Sequence, residues 1–320
     1  MLLVGNAGPK SANCPSRSAK IDDIPRGIRA MIGATLCFAL SSAFSKYQVA
    51  LHPVGEVMFL RSLTSLIVCA GFILPFKGLA VFRTRRLQAH VVRGLVQSIS
   101  QTFSVLALSM LPLAGVISIN FSVPIWAALI SIIWLKERPS FGRWGFLVIG
   151  FIGVVIVTHP GASSLRLGAV FALANAIMYG SVTVAVRGMT KTESAHALLM
   201  WQVLMVAAFH ALLLPFGFDR LSVSDATMLI CSGIANALAQ YLWTKALRLG
   251  PATAVSPFYY LTLVWALIIG FFAWGDVPSL ALIVGSSVVV VSGLLLLWHE
   301  AKGGKAAVES MDQIGNPAQN

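Results

Sequence analysis

The sequence predicts an all-α integral membrane protein. Ten transmembrane helices form two inverted five-helix repeats, with the N and C termini on the cytoplasmic side. Three observations lead there. Hydrophobic residues make up 57% of the 320 and charged residues only 11%, at a mean hydropathy of +0.83, a balance far outside that of soluble globular chains. Apolar runs recur at the length of about 20 residues that a helical span needs. The chain also repeats itself, without a gap, at an offset of half its membrane part.

In chain order, residues 1–26 are polar, carry Pro9, Pro15 and Pro25, and read as a disordered cytoplasmic tail. The first repeat, 27–160, holds spans near 28–48, 55–75, 91–111, 113–135 and 142–158. The second repeat, 161–298, holds spans near 166–187, 196–215, 224–247, 250–273 and 279–298, and residues 299–320 form a second polar tail. The run at 28–48 is needed to complete the first repeat, which argues against reading it as a cleaved secretory leader. Segments of about ten alternating residues, the mark of an outer-membrane barrel, are missing.

Charge sets the orientation. With the N terminus inside, the cytoplasmic segments hold Lys10, Arg17, Lys20, Arg26 and Arg29; Lys77, Arg83, Arg85, Arg86 and Arg93; Lys136, Arg138 and Arg143; Arg187 and Lys191; Lys245 and Arg248; Lys302 and Lys305. These are 19 of the 23 basic residues, as the positive-inside rule requires of ten spans. The net charge of +12 and the basic loop "FRTRRLQAHVVRG" are thereby explained as topology signals, with no nucleic acid as partner.

The repeat is read by laying 107–140, "ALSMLPLAGVISINFSVPIWAALISIIWLKERPS", on 246–279, "ALRLGPATAVSPFYYLTLVWALIIGFFAWGDVPS". Ala107/Ala246, Pro112/Pro251, Val116/Val255, Trp126/Trp265 and Pro139/Pro278 coincide at an offset of 139, and Glu137 faces Asp276. Five spans per half is an odd number, so the second half must cross the membrane upside down. That arrangement places a substrate site near the midplane, between the halves.

The same offset lays Gln97, Gln101 and Ser104 on Asn236, Gln240 and Trp243. Each set lies at i, i+4 and i+7, on one face of its helix. Amides facing hydrocarbon cost about 1–3 kcal/mol each when unpaired, so the stripes are expected to face inward, either lining a cavity or bonding neighbouring helices. Asn175 and Tyr179, then Phe38, Ser41 and Ser42, then Asn120, then Tyr259 and Tyr260 are the other candidates for this lining. Pro124 and Pro257, in the fourth span of each half, free a backbone carbonyl and are candidate hinges or simple packing kinks. Glu56 and Arg61, close in "GEVMFLRS", are expected to form an interfacial ion pair or a gate. His210 is the histidine deepest in a span, where a neighbour can satisfy it or it can relay protons. Trp134, Trp144, Trp274 and Trp298 read as interface anchors.

Absences narrow the chemistry. None of the 11 carboxylates falls at a span centre, which disfavours an exporter that exchanges protons for hydrophobic cations on a buried acid. The four cysteines are scattered, with no zinc spacing, and no metal or cofactor is expected. Signatures of hydrolases and nucleotide enzymes are missing too. Gly150, Gly153, Gly285 and Gly293 would permit close approach of the closing spans in a homodimer; the alternative is a monomer.

"FLRS…LPF" in span two, "SVPIWAALISIIWLKERPSFGRW" across spans four and five, and "GFIGVVIV" resemble the EamA-type family of the drug/metabolite transporter superfamily, over about residues 27–298. "SKY", "EVMFLR", "VRG" and "RWGFLVIGFIGV" are similar to its S-adenosylmethionine uptake branch. The resemblance implies ten helices, both termini inside, and a cavity built from spans one, three, four, six, eight and nine. The expected function is secondary transport, by alternating access across the plasma membrane, of a small neutral or zwitterionic metabolite, foremost an amino acid or its derivative. The alternatives are a nucleoside-like cargo such as S-adenosylmethionine or, in another class, a membrane-embedded lipid-handling enzyme.

Overall fold

A computed structural model describes residues 24–135, 141–157, 163–189, 192–217, 221–249 and 256–315. Among them there is no strand. The helices are α1 (Ile24–Val49), α2 (Val54–Lys77), α3 (Leu87–Met110), α4 (Leu113–Asn120), α5 (Val123–Leu135), α6 (Phe141–Val157), α7 (Ser163–Met189), α8 (Ala195–Ala211), α9 (Val223–Leu249), α10 (Leu261–Trp274) and α11 (Leu280–Gly315), with a 3₁₀ segment at Ser256–Tyr260 before α10. Glu137, Pro139, Pro251 and Val255, four of the residues used in the repeat, and most of the first tail lie outside the described residues.

Pro25–Val49, Val54–Lys77, Leu87–Met110, Leu113–Ile133 and Leu167–Val186 are each long and apolar enough to cross a bilayer. Shorter apolar helices cover Trp144–Val157, His196–Ala211, Phe258–Trp274 and Leu280–Leu296. Helix α9 has the length, 27 residues, but Asn236, Gln240, Thr244 and Lys245 dilute its hydropathy. A helix that carries such a stripe is stable in a membrane only with neighbours against it. Helix α11 continues through Gly315, past the span end expected at 298.

The fourth span is two helices. Helix α4 ends at Asn120 and α5 starts at Val123, and Ser122 explains the interruption: its hydroxyl donates to the Ile119 carbonyl at 2.6 Å and accepts from Trp126 Nε1 at 3.1 Å, offering the backbone a local alternative to the helical ladder. Pro124 is not the cause. It stands in the first turn of α5, where the missing N–H has no helical partner to lose. Moved by 139 residues, Asn120 and Phe121 become Tyr259 and Tyr260, where the 3₁₀ segment ends and α10 begins. Both halves therefore change helix at the same register, although Pro257 sits inside its 3₁₀ segment and Pro124 beyond its break.

Packing follows a two-fold rule. With spans numbered within each half, α1 on α9 is the exchange partner of α7 on α3, α2 on α9 that of α8 on α3, and α1 on α10 that of α7 on α5, while α2 on α8 and α6 on α11 map onto themselves. Each of these contacts is present. Helix α4 lies deepest, its Leu113, Ala114, Val116, Ile117 and Ile119 buried with Val154, Ala172, Ala266 and Val289. The α6–α11 seam is closed by glycine: a Cβ on Gly153 would lie 2.9 Å from the Gly285 carbonyl oxygen, and one on Gly150 would meet Ile125 and Ser292. A Cβ on Gly293 would strike the Tyr260 hydroxyl. The glycines expected at a homodimer interface are thus consumed inside the chain, because close approach of α6 and α11 needs them.

Candidate functional site

The polar residues predicted to share one lining separate into three groups. In the first, α2, α3, α8 and α9 converge on a cavity lined by Arg61, Ser62, Ser65, Gln101, Gln202, Asn236 and Gln240, with Val203 and Val206 completing the wall. Its volume is about 20 Å³, room for about one water molecule. Arg61 donates from Nη2 to Gln101 Oε1 at 2.9 Å and from Nη1 to Ser45 Oγ at 3.3 Å. Asn236 Nδ2 donates to Ser65 Oγ at 3.2 Å, and that hydroxyl donates in turn to the Gly233 carbonyl at 2.9 Å. Gln97, one turn from Gln101 on the same face of α3, is 1% exposed, and its amide nitrogen has no acceptor among the described residues.

The second group ties α3, α7 and α4. Ser100 Oγ donates to Asn175 Oδ1 at 2.7 Å, and Asn175 Nδ2 donates to Asn120 Oδ1 at 2.7 Å. Both ends of the Asn175 amide are satisfied, as a buried amide requires. Ser100 and Gln101 are consecutive, so α3 presents the two groups on adjacent faces at one depth. The third group is aromatic and collects at the helix breaks. Phe121 meets Tyr260 at a ring separation of 4.9 Å and Tyr259 at 6.0 Å, and Tyr259 meets Phe38 at 6.1 Å, all edge-on, the geometry ring quadrupoles prefer.

Other expected residues lie apart from the cavity. Ser41 donates to the Ser232 carbonyl at 3.0 Å inside the α1–α9 contact, and Ser45 Oγ lies 3.2 Å from Ser232 Oγ. Ser42 is half-buried on the next face of α1. Tyr179 and Trp243 are 37% and 38% exposed. The ion pair expected between Glu56 and Arg61 is replaced: five residues turn a helix by about 140°, so Glu56 points instead to His52, whose Nδ1 is 4.0 Å away, while Arg61 turns to α1 and α3. His210, 0% exposed, has Nε2 3.3 Å from the Ser98 carbonyl, a neighbour's bond of the kind expected for a lone histidine.

A larger cavity of about 250 Å³ lies between the α3–α4 and α10–α11 corners, lined by Leu111, Pro112, Ile119, Leu267, Asp276 and Leu282 among others. Its walls are mainly apolar. Gly275 takes a left-handed φ of 68° to end α10, which swings Asp276 toward Lys46. Lys46 Nζ lies 3.4 Å from Asp276 Oδ2, donates to the Leu111 carbonyl at 3.1 Å and sits 4.9 Å from the Trp274 ring centroid. The acid is paired with Lys46 there, and walls this apolar offer few groups to orient a polar ligand. The Arg61 cavity, small as it is, has the converging polar groups.

The profile of the EamA-like transporter family matches this chain twice, at residues 25–159 and 166–298. The chain belongs to that family. The transporter is 25% identical over 247 residues to an S-adenosylmethionine uptake transporter of Rickettsia bellii, an alignment that covers 77% of this chain and 84% of the relative. It is 27% identical over 278 residues to a riboflavin transporter of Vibrio cholerae, covering 85% and 93%. A crystal structure matches at a TM-score of 0.60 and 19% identity, over 84% of this chain and 95% of that one, a likeness of fold. The transporter is a multi-pass membrane protein, and membership of a transporter family makes it a carrier rather than an enzyme. Sequence reasoning missed Ser65 and Gln202 in its cavity. Ser65 was within reach, at i+4 from Arg61. Gln202 is a lone amide in its helix with no spacing to mark it.

Proposed function

We propose that the transporter is a ten-span alternating-access carrier, both termini cytoplasmic, for a small zwitterionic or neutral metabolite with a flat ring. An amino-acid derivative of the S-adenosylmethionine kind carries such a ring and a zwitterionic amino-acid end, to which its sulfonium adds one positive charge. The observation that carries the reading is the convergence of two-fold-related helices, α2 with α8 and α3 with α9, on one polar cavity deep in the fold. Interrupted helices with aromatic rings at the breaks lie nearby, and exchange of contacts across such a pseudo-two-fold is how inverted repeats alternate their openings. On α1, Ser45 beside Arg61 and Phe38 beside Tyr259 are seven residues apart on one face, about 10 Å along the axis. A molecule with a polar head and a ring spans that distance.

The cargoes named for the two relatives each carry a fused nitrogen heterocycle, which favours the nucleoside-like reading over a free amino acid. Uptake of labelled S-adenosylmethionine, riboflavin and amino acids into proteoliposomes tests it. Saturable uptake of a ring-bearing cargo is expected. Folded protein that moves none of them overturns the reading.

A further inference from the structure

Resting on that carrier reading, we propose that Arg61 is the counter-charge for a carboxylate on the cargo, so that the transporter selects acid-bearing metabolites over ones of similar shape that lack the acid. Arg61 is half-buried, and its two protein partners, Ser45 Oγ and Gln101 Oε1, are neutral. A guanidinium has five N–H donors, and these bonds use two. Among the described residues Arg61 makes no ion pair: Glu56 faces His52, Asp276 is engaged by Lys46, Asp225 by His52 and Ser222, and Glu193 by His90 and Thr84.

A cation held by dipoles alone has lost much of its hydration without gaining an opposite charge, which is costly away from water. Nearby donors and acceptors are unevenly used. The Gln97 amide nitrogen, a turn away on α3, lacks an acceptor, and Gln101 Oε1 is already taken by Arg61. A cation with three donors unused calls for an anionic acceptor, and guanidinium binds carboxylate by two parallel bonds. The geometry assigns the cargo's acid to Arg61 and leaves its ring to Phe38, Phe121, Tyr259 and Tyr260. Of the cargoes named for the relatives, S-adenosylmethionine carries a carboxylate and riboflavin does not, so the inference discriminates between them.

The test uses matched pairs in proteoliposomes of the full chain: S-adenosylmethionine against its decarboxylated form, methionine against methioninamide, and riboflavin as the uncharged ring compound. Wild type is expected to move the acid of a pair at least tenfold more efficiently than its partner. Arg61→Gln should bring that ratio close to one by raising KM for the acid, and Arg61→Lys should keep part of it, a pattern that loss of folding alone cannot produce. If Arg61→Gln fails to fold, the wild-type ratios and Arg61→Lys still decide. Equal handling of the acid and its carboxylate-free partner, or preference for riboflavin, overturns the inference and leaves the carrier reading standing. Folded wild type that moves none of the five compounds overturns the carrier reading and, with it, this assignment.

Discussion

Along the α6–α11 seam the helices touch mainly through glycine, with Gly153 against the Gly285 carbonyl and Val289, and the bond from the Ser292 hydroxyl to the Phe146 carbonyl stands beside them. Where α1, α2 and α3 meet α8 and α9, contact runs instead through serines, amides and one arginine: Ser41 and Ser45 on Ser232, Asn236 on Ser65, and Arg93 on the Leu198 carbonyl. Both regions join the two halves, and both obey the two-fold. They differ in what separation costs. Glycine contacts are short-ranged dispersion contacts, lost outright when the helices part. Hydroxyls and amides can exchange partners with each other or with entering water at a net cost of about 1 kcal/mol per bond. A carrier needs one region that holds its halves together and one whose contacts can be exchanged, and the chain divides its residues accordingly.

The comparison breaks most severely at Gly153. A leucine there places its Cβ within 2.9 Å of the Gly285 carbonyl oxygen and of backbone and side-chain atoms of Val289, and backbone cannot step aside as a flexible side chain can. Gly153→Leu should destabilise the protein by about 3 kcal/mol or more, at the upper end of overpacking costs. Size-exclusion profiles after detergent extraction should show loss of the monodisperse species. A wild-type profile would mean that α6 and α11 separate freely and that the seam is no anchor.

Second in size is Asn175, whose amide bridges Ser100 and Asn120. Asn175→Leu leaves the half-buried Asn120 side-chain oxygen without its donor and leaves the buried Ser100 hydroxyl with only the longer bond, 3.2 Å, to the backbone carbonyl of residue 175. Intramembrane hydrogen bonds are worth little on average but up to about 1.7 kcal/mol, and two are lost together. A fall of about 1–2 kcal/mol, read as a lowered melting temperature in detergent, is expected. An unchanged melting temperature would move Asn175 from packing to cargo contact.

Much of this was legible in the sequence, for reasons that can be named. The offset of 139 residues made the halves visible because inverted repeats must present equivalent groups to one axis, and Gln101, Asn236 and Gln240 fell on the cavity because helical spacing fixes a face. Side-chain reach was not legible. Arg61 extends from α2 to both α1 and α3, and nothing in "EVMFLRS" says that it turns away from Glu56 except the angle of five helical steps. A hinge or packing kink is expected at Pro124, whereas the helix is interrupted at Ser122, since a serine bonding back to its own helix leaves no mark in hydropathy. Amides on matched faces also divided between uses: Asn175 and Asn120 were spent on each other, and only the fold could pair them.

Gln240 sharpens the comparison from the exchangeable side. It lines the Arg61 cavity on α9, and its backbone carbonyl accepts from Thr244 at 2.8 Å. Gln240→Leu keeps shape and removes hydrogen-bonding capacity, so stability should change by no more than about 0.5 kcal/mol while transport efficiency falls about tenfold, the size of one lost polar contact of about 1.4 kcal/mol. Normal yield and melting temperature with reduced uptake in proteoliposomes would support this. Unchanged uptake would reduce the stripe to packing.

The smallest effect is expected at the Lys46–Asp276 contact, which combines both kinds of joint. Lys46 closes the last turns of α1 over two corners of the fold, accepting none of the cargo's chemistry but tying Leu111, Trp274 and Asp276 to one cation. Asp276 is 30% exposed at the rim of the larger cavity, so water screens the pair and its worth is under about 1 kcal/mol. Asp276→Asn keeps the size of the side chain and removes the charge. It should leave melting temperature almost unchanged and alter uptake two- to threefold, with the difference from wild type shrinking as salt rises from low to about 0.5 M, because screening already weakens the pair in the unsubstituted chain. An effect on uptake as large as that of Gln240→Leu, or one indifferent to salt, would place the controlling contact at the helix corners rather than in the polar centre, and the division between holding and exchanging regions would have to be redrawn around Lys46.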